Sequence, residues 1–419
     1  MRGKKDYSKL AIDQSRKFHG KIELKPTVKV RSLSDLSVFY TPGVAAVTKA
    51  IQNDPDLSWE LTWRGNTIFI VTNGTRVLGL GDTGPLASLP VMEGKSLIYK
   101  EFGGVNAVPI PISAKNIDEF VSTVKNLSTT AGGIHLEDIE SPFCFEALER
   151  LQKELSVPVW HDDQQGTAAA TLAGLLNATK LVDKDLRKAR IVLIGAGAAN
   201  IALFRLLSSY GVEMRNVIVS DSKGPLFSSR NDIDELKIKN RWKYDVAMKS
   251  NVEGISTLEK AFDSADIAIG FSAPSGIKAE WIEKMNRKPI VFANANPIPE
   301  IMPEAAYKAG AYIVSTGRSD YPNQINNSLV FPGLFRGILD SRSRKIDDFT
   351  AIAAAEELAK FAQEKGIDRK HIIPTMMDRD IHPRVASAVA EDAVKRGLAS
   401  VKGTKEFFYK KAKEIIEKR

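Results

Sequence analysis

Asp162 and Asp163 follow the short apolar segment Val157-Pro158-Val159-Trp160, with His161 between, and precede an Ala/Gly-rich helical run that starts at Gly166. The segment reads as a buried strand, so the two carboxylates fall at a strand's carboxyl end, where α/β proteins gather ligands. A second pair, Glu137 and Asp138, follows another short apolar segment 25 residues earlier (163 − 138). Acids at two neighbouring strand ends suit a hard divalent cation, which takes oxygen ligands. A lone acid on a loop is ordinarily just solvated. Two pairs, each after an apolar strand, favour the metal.

Other residue types could work beside such a cation. Lys95 lies in Met92-Glu93-Gly94-Lys95-Ser96, near a predicted helix start. On the surface it is a solvated charge; desolvated beside a metal and a second cationic group, its pKa would fall towards neutrality and make it a general base. Arg76 precedes the glycine-dense segment Gly79–Gly84. Tyr40 sits where a strand-like run meets the Pro42-Gly43 turn, and on residue type alone it reads as a half-buried packing tyrosine. Asn296, Asn326 and Asn327 are loop amides. Such amides usually bond the backbone of turns, but at the ends of dinucleotide-fold strands they can also hold carbonyl and carboxylate groups.

The apolar run Ile191-Val192-Leu193-Ile194 leads straight into Gly195-Ala196-Gly197-Ala198-Ala199-Asn200 and a predicted helix through Tyr210. Val217–Asp221 is the next strand, which completes a βαβ nucleotide-binding opening. Gly195 permits the tight turn, and Gly197 lets the backbone reach a pyrophosphate held at the helix N-terminus. Asn200 departs from the usual fingerprint, where Gly or Ala packs helix against strand. Asp221 can accept a hydrogen bond from a ribose hydroxyl, favouring NAD, whereas Lys223 could neutralise a 2′-phosphate and favour NADP; both readings stay open.

The elements that must position these residues follow from the rest of the chain. Its 419 residues predict two domains. With 43% hydrophobic and 26% charged residues, the composition excludes a disordered or fibrous protein. The absence of an apolar run long enough for a membrane helix, and of a secretory signal, predicts a cytoplasmic protein without a membrane partner. The single cysteine, Cys144, reads as a packed small residue. A net charge of +8 is scattered, so it suits anionic small molecules better than nucleic acid. The basic tail from Lys402 reads as a docked or subunit-contacting amphipathic helix rather than a membrane or nucleic-acid arm. Thr62–Thr72 reads as a hairpin and Val77–Leu80 as the start of a buried strand. Strands are predicted at 267–271, 290–293 and 312–314, and helices at 350–365 and 385–397.

Six motifs in order carry a resemblance: Tyr40-Thr41-Pro42-Gly43-Val44-Ala45, Val77-Leu78-Gly79-Leu80-Gly81-Asp82, Val91-Met92-Glu93-Gly94-Lys95, Leu136-Glu137-Asp138-Ile139, His161 through Thr167, and Asn327 through Gly333. From about Ser15 to Gly397 the chain resembles malic enzymes of the short prokaryotic type. The resemblance implies that Glu137, Asp138 and Asp163 ligate Mg²⁺ or Mn²⁺, that Lys95 is the base and Tyr40 the acid, and that Asp162 supports Lys95. It further implies that Arg76 grips a substrate carboxylate, while Asn296, Asn326 and Asn327 complete the substrate site and residues 195–200 with Asp221 and Lys223 hold NAD or NADP. His135 departs from it, standing where a smaller amide is expected.

The implied architecture is a Rossmann-type doubly wound parallel sheet plus a mixed α/β N-terminal domain, of the amino-acid-dehydrogenase-like two-domain kind. Residues 1–160 form the substrate and metal domain, 161–400 the NAD(P)-binding domain and 401–419 the terminal helix. The implied reaction is oxidative decarboxylation of (S)-malate to pyruvate and CO₂ with reduction of NAD(P)⁺, with oxaloacetate decarboxylation as a side activity and a homodimer as the assembly. Two other functions compete: a malolactic-type enzyme that releases lactate, and a catalytically inactive NAD(P)-binding sensor.

Overall fold

The computed structural model describes residues 7–114 and 116–418. Four short strands, β1 (Thr67–Thr72), β2 (Asn106–Pro111), β3 (Ile134–Leu136) and β4 (Val159–His161), form an all-parallel sheet in the order β2-β1-β3-β4. Every residue of β1 is buried, as expected of a strand covered on both faces. The helices Gly84–Gly103, Ile117–Leu127 and Phe143–Glu154 connect successive strands. Register sets the site: Leu136 pairs with His161, so the residues after them, Glu137-Asp138 and Asp162-Asp163, leave the same end of the sheet side by side.

After the helix Thr167–Leu181 the chain builds a second sheet from β5 (Ile191–Ile194), β6 (Val217–Asp221), β7 (Gly224–Pro225), β8 (Ile267–Gly270), β9 (Ile290–Ala293) and β10 (Ile313–Thr316). Its order is β10-β9-β8-β5-β6-β7, and all neighbours are parallel except β6 and β7. From β5 the chain winds first to β6 and then back to β8 on the other side, which is the doubly wound topology. The crevice at the ends of β5 and β8 is where such sheets bind ligands. Side chains of β5 alternate between two cores: Ile191 and Leu193 join the large one that continues through the first sheet, and Val192 and Ile194 the smaller one on the opposite face.

Beyond β10 the chain returns to the first sheet. The helix Phe331–Ser341 packs on Gly84–Gly103 and on Ile381–Lys395. Contact is backbone-close: a Cβ on Gly337 would lie 2.3 Å from the Ala386 carbonyl oxygen, and one on Gly103 2.6 Å from that of Pro332. The terminal helix Lys405–Glu417 docks through buried Phe408 and Ala412, and Lys411 reaches the Asp340 carboxylate. Docking of the tail and burial of Cys144 therefore agree with the sequence reading. Among the described residues no helix is long and apolar enough to cross a membrane.

Four local expectations fail. The run before Tyr40, read as strand-like, is the helix Leu33–Phe39. Thr62–Thr72 is a single 3₁₀ turn, Trp63–Asn66, followed by β1, whose partners on both sides are parallel; the Asn73-Gly74 turn leads into a loop and helix, not a returning strand. Val77–Leu80 is a tight loop closed by a Val77–Gly81 bridge, with Leu78 and Leu80 exposed. Lys95 lies in the middle of a 20-residue helix rather than near its start. The three helices of the N-terminal arm, Tyr7–Phe18, Leu33–Phe39 and Gly43–Asn53, bury no residue at all.

Candidate active site

Asp162–Gly166 forms one wide π-helical turn before the helix Thr167–Leu181, a geometry that recurs at functional sites. It folds this way because Gly166 leaves room: a Cβ there would lie 2.0 Å from Asp162 Oδ1. Asp162 is fully buried, takes a hydrogen bond from Trp160 Nε1 at 3.0 Å, and meets Lys95 Nζ at 2.5 Å. Lys95 also approaches Glu137 Oε1 at 3.1 Å, donates to Asn327 Oδ1 at 3.3 Å and lies 4.7 Å from the centre of the Phe331 ring. The pairing of Asp162 with Lys95 expected from the sequence is thus present.

Glu137, Asp138 and Asp163 bring carboxylate oxygens within 4.8 Å of one another. The Asp138 N–H donates to Asp163 Oδ2 at 2.9 Å, and Asp138 adopts a left-handed φ of 54° that turns its side chain into the cluster. Burial raises the Glu137 carboxyl to about 7 against the pull of Lys95. Burial and the charges of Glu137 and Asp163 raise Asp138 to about 8. Asp163, with 34% of its side chain exposed at the mouth of the cluster, is raised to about 7 by desolvation and by Glu137. Asp138 Oδ2 is buried without a hydrogen-bond partner. An unpaired oxygen among three crowded hard ligands fits a divalent cation. A second grouping, His135, Glu137 and Asp162, is equally compact, but the Lys95 ammonium already neutralises its two acids.

Lys95 as the chain alone holds it is a charged ammonium. Burial pulls its pKa down, but the carboxylates of Asp162, Glu137 and Asp163 more than offset it, so the ammonium is held above its ordinary value. A drop towards neutrality is expected only with a metal and a cationic nicotinamide beside the lysine.

Elsewhere the placements differ. Arg76 ties its backbone N–H to the Asp138 carbonyl at 3.1 Å and leaves its guanidinium exposed at the rim. Asn326 is committed to the backbone, capping the turn at Ser328 N. Asn296 is exposed on the second domain's loop, and its carbonyl lies 3.7 Å from where a Cβ on Gly79 would stand, so the two domains' loops meet there. Tyr40 is 68% exposed at the end of the helix Leu33–Phe39, outside the group gathered around Lys95.

At the glycine turn, Gly195 has a φ of 98°, and a Cβ on Gly197 would meet nothing within 4 Å, which leaves the open cradle a pyrophosphate needs. Asn200 is buried and donates to the carbonyls of Ile194 and Gly195 at 2.9 and 2.8 Å, clasping the turn that Gly or Ala would merely pack. Asp221 is no free acceptor. Its Oδ1 takes Arg230 Nη1 at 2.8 Å and Lys223 N at 3.0 Å, and its Oδ2 takes Arg230 Nη2 at 3.2 Å and Lys243 Nζ at 3.0 Å. The Lys223 ammonium points instead to Asp232 at 2.9 Å. Sequence reading missed Arg230, Lys243, Trp160 and Tyr99; only Tyr99, one helical turn past Lys95, carried a spacing signal.

A dinucleotide-type sheet whose glycine-turn helix packs on the turn bearing Asp162, beside buried carboxylates and a lysine, defines a metal- and nicotinamide-dependent class of oxidoreductase. Within that class the chain belongs to the malic enzyme family: residues 19–152 match the malic enzyme N-terminal domain and residues 164–394 the malic enzyme NAD binding domain. It is 46% identical over 384 residues to a bifunctional malic/malolactic enzyme of Bacillus subtilis, covering 91% of this chain and 92% of that one. It is 47% identical to an NAD-dependent malic enzyme of Geobacillus stearothermophilus, covering 91% and 78%. An NADP-dependent malic enzyme of Rhizobium meliloti is 42% identical, and there the match spans 91% of this chain and 51% of the relative. The crystal structure of Entamoeba histolytica malic enzyme superposes with a TM-score of 0.94 at 43% identity, covering 98% of this chain and 86% of that one.

Proposed function

We propose that the protein oxidatively decarboxylates (S)-malate to pyruvate and CO₂ with reduction of NAD(P)⁺. The observation that carries this reading is Lys95, held between Asp162 and Glu137 beside the buried Asp138 and the partly exposed Asp163. Glu137, Asp138 and Asp163 would hold a divalent cation, which when bound supplies Lewis-acid polarisation of the substrate's C2 oxygen. With a cation held there, the field that raises Lys95 would be screened, so that the lysine could fall towards neutrality and take the C2 hydroxyl proton. NAD(P)⁺, when bound, would supply the acceptor for the C2 hydride, and loss of that proton and hydride would leave oxaloacetate. The C3–C4 bond then breaks, CO₂ departs, and the electron pair forms the enolate of pyruvate; Lys95, now protonated, returns its proton to that oxygen. Arg76 at the rim would hold a substrate carboxylate and Asn327 the base, with Asn296 closing the site from the opposite loop.

In this reading Tyr40 protonates C3 as Lys95 takes back the enol O–H proton, which gives pyruvate, and Tyr40 belongs to an arm with no buried residue. A homodimer that covers the arm would bring the hydroxyl to a site. For the cofactor, the four acceptor positions of Asp221 are occupied, so it cannot select the ribose hydroxyl as a free acid does. We therefore assign use of both cofactors, with Lys243 able to turn to a 2′-phosphate.

The deciding experiment is a steady-state assay with malate and Mn²⁺, run with NAD⁺ and with NADP⁺, following reduced nicotinamide, pyruvate and lactate. Pyruvate and reduced cofactor in equal amounts are expected, with the two cofactors within about tenfold in kcat/KM, a 1.4 kcal/mol difference. Lactate without reduced cofactor would establish the malolactic reading, which the Bacillus subtilis relative's name favours. Cofactor binding without turnover would leave only a sensor.

A further inference from the structure

We propose that His135 and Tyr99 are a positioning pair that fixes one oxygen of Glu137, leaving the other for a divalent cation. The proposal rests on the reading of Glu137, Asp138 and Asp163 as the metal-binding set. In β3 and its extension, residues 135 and 137 are two apart and so project from the same face of the sheet. The imidazole therefore stands beside the carboxylate, with His135 Nε2 2.5 Å from Glu137 Oε2. That face is covered by the helix Gly84–Gly103, on which Lys95 and Tyr99 lie one turn apart. Lys95 meets Glu137 Oε1 at 3.1 Å, and the Tyr99 hydroxyl meets His135 Nδ1 at 2.7 Å. One helix thus governs both oxygens of Glu137, one directly and one through the imidazole.

The bonding directions are determined. A carboxylate serving a metal has no proton to give, so His135 Nε2 carries the hydrogen and donates it, and Nδ1 accepts from the Tyr99 hydroxyl. The ring cannot easily turn away. It is fully buried, with the rings of Tyr99, Phe331 and Phe335 centred 5.5, 5.8 and 6.3 Å from its own. Oε2 is consequently taken, and Oε1, which faces the Lys95 ammonium at 3.1 Å, is the oxygen left to ligate. Outer partners of this kind typically set metal affinity by 10- to 100-fold. A residue that merely fills volume does not.

The test is Mn²⁺ binding to the metal-free full-length protein, read from the electron paramagnetic resonance signal of free Mn²⁺, with thermal melting in EDTA as the check on folding. His135→Leu is expected to raise the Mn²⁺ Kd by about 10- to 100-fold, while His135→Asn, which keeps an N–H donor for Glu137, stays within about threefold of the parent. If the leucine variant does not fold, Tyr99→Phe decides: it keeps the ring, removes only the hydroxyl, and is expected to weaken Mn²⁺ several-fold. In a Glu137→Gln background the His135 substitution should have no further effect. Equal Kd values for His135→Leu and the parent, or for Tyr99→Phe and the parent where the leucine variant is unfolded, overturn the proposal, as does equal loss in His135→Leu and His135→Asn. Failure of the unsubstituted protein to bind Mn²⁺ overturns the metal reading itself.

Discussion

The charge balance around Lys95 makes the site's behaviour depend on what is bound. Its ammonium is held by Asp162 and Glu137, so the resting protein carries a protonated lysine and three acids whose pKa values burial has raised. Lys95→Ala should lower kcat for malate oxidation by about 10²- to 10⁴-fold, and oxaloacetate decarboxylation, assayed separately, should fall with it because one proton carrier serves both. The raised acids also set a pH dependence. Their folded pKa values, about 7 to 8, exceed the ordinary 3.8 and 4.5, so the folded metal-free protein binds more protons than the unfolded chain and loses stability as pH rises through 7 to 8. His135 and His161, lowered to about 4 and 3 chiefly by burial, act oppositely, but only below their ordinary 6.5. Between pH 6.5 and 8 the acids dominate. A divalent cation relieves their repulsion, so saturating Mg²⁺ should raise Tm by about 2 °C more at pH 8 than at pH 6.5, measured by scanning calorimetry.

At the scale of elements, strand register and one turn do most of the positioning. Parallel pairing of Leu136 with His161 puts both acidic pairs at one sheet end, and the π-turn at Asp162–Gly166 directs Asp162 to the lysine. Gly166→Ala should therefore disturb the lysine pair rather than the helix after it: kcat falls about 100-fold or more, while circular dichroism and NAD⁺ binding change little, since the clash is with Asp162 Oδ1 at 2.0 Å and Cγ at 2.9 Å, and with Asn327 Cβ at 3.1 Å, both partners of Lys95. Continuous apolar runs such as Ile191–Ile194 made the second sheet legible from sequence, because a strand buried on both faces has a composition that helices and loops lack. The metal set was legible because acids directly after apolar strands are rare in a loop that has nothing to bind. Thr62–Thr72 misled because a β-rich run beside Asn-Gly has the signature of a hairpin, and only the partners of β1 decide between parallel and antiparallel. Arg230 and Lys243 were invisible for a related reason. They lie 9 and 22 residues past Asp221 in sequence and meet it only through the fold, so the carboxylate that looked free for ribose is already saturated. Lys243→Ala should accordingly reduce kcat/KM for NADP⁺ by about tenfold while changing that for NAD⁺ less than about threefold.

For the whole molecule, the contrast lies between a body whose core runs continuously through the first sheet, the inter-sheet helices and the C-terminal helices, and an arm that contributes nothing to that core. The arm is not polar. Tyr7, Phe18, Leu33, Val38 and Phe39 are all exposed, Leu33 by 82%, and a monomer seldom presents that much apolar surface to water without a partner. Self-association through a two-fold axis is the commonest way to cover such a surface. The arm also carries Tyr40, so assembly and protonation at C3 are coupled in the proposed reaction. Light scattering on the full-length protein should give the mass of a dimer. The double variant Leu33→Asp with Phe39→Asp should give a monomer with unchanged melting of the body, since neither side chain is buried, and with Mn²⁺ binding retained. That monomer should still oxidise malate slowly but release enolpyruvate, which ketonises in water, so pyruvate from added oxaloacetate appears in solution only after a measurable enol phase. A monomeric parent with full turnover would show that the arm closes over its own site and that no second subunit is required.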